Sequence, residues 1–120
     1  MPLSDEQWEF TLDIARLILF AYIHKYKLTQ GEAYRTVEQQ ALYVKSGLSK
    51  TMKSGHLVRL AKDFNIFFDF DLDGDQDYLS SEQHMEEHAH ILGEYWASLN
   101  PKNISGFDWG WDYGHFEREV

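Results

Sequence analysis

The chain has no cysteine, so it can form no disulfide and can offer no thiolate to a metal. A tightly held transition metal would therefore have to use histidine and carboxylate, the ligands of catalytic rather than structural zinc. Basic residues are scarce as well. Eleven Lys and Arg against twenty Asp and Glu leave a net charge of -9, which argues against nucleic acid and against stable binding to an anionic membrane surface. Long apolar runs are also missing, since Leu17 to Ile23 is bounded by Arg16 and His24. The amino terminus, Met1-Pro2-Leu3-Ser4-Asp5-Glu6, has no positive n-region. Neither a signal peptide nor a membrane span is expected, and synthesis as a cytoplasmic species is. A length of 120 residues predicts one domain over 1–120, large enough for a core, and the expected state is a monomer.

Aromatic residues are plentiful, with 8 Phe, 7 Tyr and 4 Trp, which suits a compact core and an aromatic-lined cleft. Ser4, with Asp5, Glu6 and Gln7 behind it, reads as a helix N-cap, and Trp8, Leu12, Ala15, Leu19 and Tyr22 recur at helical spacing, predicting a helix from about residue 5 to about 27. His24 falls near its carboxyl end, where a protonated ring suits the dipole. After the break at Gly31, a short strand leads to a second helix capped by Thr36, with Glu38-Gln39-Gln40 in its first turn. Leu60, Phe64 and Ile66 then alternate with Ala61, Asp63, Asn65 and Phe67, the pattern of a strand. A third helix runs from Ser80 or Ser81 to Leu99, stopped by Asn100-Pro101, and Gly106 to His115 reads as the final strand.

Ser54-Gly55-His56 and Asp63, taken with Asp112-Tyr113-Gly114-His115, supply two histidines and two aspartates in aromatic, glycine-rich surroundings. Three ligands and one further carboxylate are what a catalytic zinc with a general base requires. The assignment is His56, Asp63 and His115 on the metal and Asp112 as base. A lone aspartate in an apolar strand is costly to bury without a positive neighbour, and a metal would be one. A histidine and an aspartate seven apart are weak evidence on their own. Arg35, beside the cap at Thr36, could grip an anion with its planar fork or simply pair with an acid, and residue chemistry leaves both open.

Ser54-x-His56, Ala61-x-Asp63 and Asp112-x-x-His115 resemble the signature of the zinc D-Ala-D-Ala and L-Ala-D-Glu peptidases. The likeness extends to Tyr34-Arg35-Thr36-x-Glu38-Gln39-Gln40, Arg59-Leu60-Ala61-x-Asp63, Asp77-Tyr78-Leu79, Leu92-Gly93-Glu94-Tyr95-Trp96 and His115-Phe116, which look like the short phage-type branch, over roughly residues 31 to 117. The resemblance implies zinc on His56, Asp63 and His115, Asp112 as catalytic base, and Arg35 stabilising the oxyanion or the substrate. It also implies hydrolysis of a stem-peptide bond in peptidoglycan, with L-Ala to D-Glu leading and bonds to D-Ala as competitors, by a phage or prophage endolysin released at lysis. Many members carry Glu where this chain has Asp112, and the shorter arm changes the reach of the base. Residues 112 and 115 have opposite parity, so the glycines at 106, 110 and 114 are expected to permit a kink. Other readings are a D-Ala-D-Ala carboxypeptidase or dipeptidase, or a catalytically silent metal-binding domain.

Two further groups could hold a metal. Asp69, Asp71, Asp73, Asp75 and Asp77 stand at every second position around Gly74. They begin like a calcium loop, but Ser80 occupies the place of the bidentate glutamate. A solvated acidic turn joining two strands is the simpler reading; calcium stays in view because some phage peptidases of this kind are calcium-regulated. His84 and His88 are four apart, but His-Met-Glu-Glu-His lacks the glutamate beside the first ligand that a zincin helix needs, so they read as a solvated face. The resemblance implies an α+β architecture, helices packed on a small, mainly antiparallel sheet with the zinc site at its edge.

Overall fold

The computed structural model describes residues 2–47, 54–69, 72–75, 77–78, 85–110 and 112–119. Among these residues, four helices pack on an antiparallel sheet: α1 (Leu3–Ile23), β1 (Lys27–Gln30), α2 (Val37–Ser46), a 3-10 turn (Gly55–Val58), β2 (Ala61–Phe68), β3 (Asp77–Tyr78), α3 (Met85–Leu99), β4 (Asn103–Ser105), α4 (Gly106–Trp109) and β5 (His115–Arg118). The strands run in the order β1-β2-β5-β4, with β3 also on β2. The α+β class is as the sequence indicated. No described helix is long and apolar enough to cross a membrane.

Strand β2 organises the molecule. Its Phe64 and Ile66, with Leu60 just before it, are buried against α1 and α3, where Phe10, Leu17, Ala21, Leu92 and Trp96 complete the core with Phe116 of β5. Alternation along a strand places Ala61 and Asp63 on the opposite face. Trp96, itself fully buried, donates its indole N–H to the carbonyls of Ile104 and Glu117, each at 3.0 Å. A single donor thus ties α3 to β4 and β5, and satisfies a polar group that would otherwise be costly to bury.

Helix α1 departs from expectation in extent and in face. It begins at Leu3, with Pro2 in the N-cap position, and ends at Ile23, where His24 is the C-cap and Lys25 takes a left-handed φ of 70°. Its predicted stripe faces outward: Trp8 is 70% exposed and Leu19 is 65% exposed. The buried stripe is Glu6, Phe10, Asp13, Leu17 and Ala21. Two acids lie on it because Arg118 of β5 is buried against them, donating to Asp13 Oδ2 at 2.6 Å and to Glu6 Oε2 at 3.4 Å. The guanidinium is neutralised by partners more than a hundred residues away in sequence, and the first helix thereby clamps the last strand.

Thr36 does cap α2, its Oγ1 accepting from the Gln39 N–H at 3.1 Å. The final strand predicted over Gly106 to His115 is instead the short helix α4, which ends at left-handed Gly110 (φ 77°), then a turn, with β5 beginning at His115. The expected solvated histidine face on α3 is not what His88 shows. Its Nδ1 lies 2.5 Å from the Tyr26 hydroxyl, and its ring packs on Phe68. His84, the cap at Ser80 or Ser81, Asp71 and the polar loop 48–53 lie outside the described residues.

Candidate metal centre

Three separate stretches converge on one point. Asp63 and His115 are directly opposed across the antiparallel β2–β5 pair, at the end of its ladder. The extended segment 31–35 runs alongside, with the Gly31 N–H donating to the Asp63 carbonyl at 2.9 Å, the Asp63 N–H to the Glu32 carbonyl at 2.8 Å, and the Arg35 N–H to the His56 carbonyl at 3.0 Å. His56 enters from the 3-10 turn, whose Ser54 side chain accepts from the His56 N–H at 3.2 Å. The turn before His115 lies close against β2. At Gly114 a Cβ would come within 2.1 Å of the Phe64 carbonyl oxygen, so only glycine allows this approach.

Ligand atoms from His56, Asp63 and His115 lie within 4.8 Å of one another. Asp63 Oδ2 is 3.2 Å from His56 Nε2, and Oδ1 is 2.7 Å from His115 Nδ1. Both imidazoles are nearly inaccessible, at 1% and 4% exposure. Each has its outer nitrogen held. His56 Nδ1 lies 2.6 Å from the Ala33 carbonyl, and His115 Nε2 lies 2.7 Å from Glu117 Oε1. A carbonyl can only accept, so Nδ1 of His56 donates to it and Nε2 is the nitrogen turned inward.

That Nε2 is buried and, among the described residues, has no hydrogen-bond partner; Asp63 is near it but out of line. A buried ring nitrogen that makes no hydrogen bond is uncommon enough to require an explanation. A cation between His56 Nε2, Asp63 and His115 Nδ1 supplies one, and two imidazoles with a carboxylate suit zinc. The residues present fit the ion.

The electrostatics agree with a site built for positive charge. Burial works to raise the Asp63 carboxyl, but the His115 and His56 rings overcome it and hold the group well below the usual carboxylate range. Burial likewise opposes charge on His115, yet Asp63 and Glu117 raise its pKa to about 9, so at neutral pH a proton rests there when no metal does.

Asp112 Oδ2 stands 3.9 Å from His115 Nδ1, with 43% of its side chain open to solvent. Its backbone is left-handed, φ 53°, and its carbonyl accepts from the His115 N–H at 3.0 Å. The expected kink therefore falls on Asp112 itself and on Gly110, in a turn rather than inside a strand. Packing around the Asp112 carboxyl pushes it above the ordinary aspartate range, opposed by the charge of His115 and reinforced by that of Asp63. Arg35 is close enough for its charge to act on Asp112 as well.

Arg35 also pairs with an acid. Its Nε donates to Glu32 Oε2 at 3.2 Å, Nη2 donates to the same oxygen, and Nη1 donates to Gln40 Oε1 at 2.6 Å. The guanidinium lies over the Tyr43 ring at 4.6 Å, and the Tyr43 hydroxyl donates to Glu32 Oε1 at 3.0 Å. Three of its five N–H donors are thus engaged among the described residues.

Sequence reasoning gave no role to Glu117, Glu32 or the Ala33 carbonyl. Glu117 could have been found by parity, two residues beyond His115 on one strand face; a backbone carbonyl leaves no signal in sequence. In the acidic segment, Asp69, Asp73 and Asp77 carboxylates come within 4.8 Å of one another, while Asp75 stands outside that group. The Asp69 carboxylate accepts from the Asp73 N–H at 3.2 Å and the Gly74 N–H at 2.9 Å, within the turn joining β2 to β3.

No family model matches the chain, and no curated protein does. Among solved structures, the Serratia marcescens L-Ala D-Glu endopeptidase ChiX superposes with a TM-score of 0.61 over 89% of this chain and 78% of that one, at 19% identity. The chain shares the fold of that endopeptidase. At this identity the likeness establishes architecture, and what the present chain does must be argued from its own site.

Proposed function

We propose that the chain is a zinc peptidase that cleaves a peptide bond in peptidoglycan stem peptides, with L-Ala to D-Glu the leading bond and bonds to D-Ala the competitors. The observation that carries this reading is the buried Nε2 of His56, which makes no hydrogen bond among the described residues and lies 3.2 Å from Asp63 Oδ2 in a group with His115. The fold shared with an L-Ala D-Glu endopeptidase supports the choice of substrate class.

His56, Asp63 and His115 would hold the ion. When bound, zinc supplies a Lewis acid that polarises the scissile carbonyl and lowers the pKa of an attacking water from about 15.7 to about 7. Asp112 takes the proton of that water on Oδ2 and passes it to the leaving amine; a carboxyl raised above the usual range suits a group that must both accept and release. The shorter reach of aspartate is offset by the left-handed turn that brings its carboxylate to 3.9 Å from His115 Nδ1. Arg35, anchored by Glu32 and Gln40 with donors to spare, steadies the negative charge that develops on the carbonyl oxygen.

We further propose that residues 1–120 act as one catalytic domain, monomeric, in the manner of a phage or prophage endolysin that stays in the host cytoplasm until lysis. Comparing purified sacculi with free D-Ala-D-Ala as substrates of the zinc-loaded protein tests the assignment. New amino groups from sacculi alone are expected. Cleavage of the dipeptide alone would move the chain to the dipeptidases, and silence on both would leave a metal-binding domain without activity.

A further inference from the structure

We infer that Glu117 is a positioning residue of the metal centre, fixing which nitrogen of His115 faces the ion. The inference rests on the zinc reading above and adds to it a residue outside the ligand set.

His115 and Glu117 lie two apart on β5 and so share a strand face. Glu117 is paired in register with Ala61, whose small side chain leaves the glutamate room to lie back along the strand. Its own backbone is pinned twice, by the β2 ladder and by the Trp96 indole on its carbonyl at 3.0 Å. From that fixed base Oε1 reaches His115 Nε2 at 2.7 Å, with the two side chains only 17% and 6% exposed. An ionised carboxylate accepts and does not donate. Nε2 must therefore carry a hydrogen, and the neutral ring can offer only Nδ1, the nitrogen already 2.7 Å from Asp63 Oδ1.

The two histidines are thus set by different devices. Ala33 fixes His56 with a neutral carbonyl that no side-chain change can remove, whereas Glu117 fixes His115 with a charge. A carboxylate behind a ligating imidazole sets the ring's orientation and raises its donor strength, and losing such a partner commonly weakens metal binding about 10–100-fold. A glutamate serving only as a local salt bridge would instead change the folding of the metal-free protein and leave its hold on zinc untouched.

The test is zinc affinity by competition with a chromophoric chelator for the wild type, Glu117→Ala and Glu117→Gln, with melting of the metal-free proteins in parallel. Glu117→Ala is expected to weaken zinc about 10–100-fold, and Glu117→Gln, whose amide oxygen can still accept, to recover part of that loss. If Glu117→Ala does not fold, the glutamine variant carries the comparison. Unchanged affinity in both variants, with the wild type binding zinc, overturns the role of Glu117 and leaves the metal site standing. A wild type that binds no zinc overturns the metal site, and this inference with it. Long-range proton–nitrogen correlation of the zinc-loaded wild type reads the tautomer directly: a protonated Nε2 on His115 is expected, and a protonated Nδ1 would refute the assignment.

Discussion

In the metal-free state, the stability of this protein should fall as the pH is raised through neutrality. His115 is buried between two carboxylates, and its pKa climbs from 6.5 to about 9. A folded-state pKa above the unfolded one means that the native state holds the proton more tightly. The resulting stabilisation is complete below about pH 6.5 and is lost progressively up to about pH 9. At about 1.4 kcal/mol per pH unit, the rise corresponds to about 3 kcal/mol, a large part of a small domain's stability. With 6% of the ring exposed, solvent screening removes little of this. Tyr26, which burial raises to about 12, titrates well above the window and leaves it clear. The assay is urea unfolding of chelator-treated protein at several pH values from 6 to 9.5, with His115→Gln beside it. The midpoint should drop across the window in the wild type and show a much weaker trend in the variant. A midpoint that stays level or rises in the wild type would refute the reasoning. Zinc competes with this proton, so zinc affinity should rise over the same window.

Three further outcomes are expected. Asp112→Asn should keep zinc binding, measured by chelator competition, while the rate of bond cleavage falls about 10²–10⁴-fold, as for loss of a general base; an active variant would remove Asp112 from that role. Asp13→Ala leaves the Arg118 guanidinium short of its nearest carboxylate in a buried setting, and chemical denaturation should show a loss of about 3–5 kcal/mol. A loss under about 0.5 kcal/mol, the range of ordinary surface changes, would mean that Glu6 and Glu9, whose Oε2 atoms each lie 3.4 Å from Arg118 Nη1, suffice. In the turn joining β2 to β3, the Asp69 carboxylate is occupied by backbone N–H groups, so titration calorimetry should give no calcium binding below millimolar. Tight binding would assign Asp69, Asp73 and Asp77 to a cation.

Residue chemistry suggested the metal-ligand candidates, and the resemblance of their motifs to a zinc peptidase signature narrowed them. With cysteine absent, histidine and carboxylate were the ligand types left, and Asp63 stood out as a charge in the apolar alternation of β2. That alternation survived folding because Leu60, Phe64 and Ile66 all reach the core. Helix α1 misled for a physical reason. Its most regular apolar spacing, through Trp8, Leu12 and Leu19, faces outward, while its buried face includes Glu6 and Asp13, whose partner Arg118 lies 105 residues beyond Asp13. A window of one helix cannot contain that pairing. The turn at 110–114 was equally hidden. Gly110 signals a break, but neither the left-handed Asp112 nor the close approach of Gly114 to Phe64 in β2 leaves a local sequence signal. Of its two readings, Arg35 shows the pairing with an acid, Glu32; the grip on an oxyanion is part of the proposal.

The central claim is that His56, Asp63 and His115 hold a zinc ion that, with Asp112, opens a stem-peptide bond. Mass spectrometry of muropeptides tests it most directly, after purified sacculi are incubated with the zinc-loaded protein, with Asp112→Ala, and with a chelated sample. Fragments carrying a new D-Glu amino terminus, produced by the first sample and absent from the other two, are the predicted result. Intact stem peptides in all three samples, or the same fragments in all three, would contradict the account.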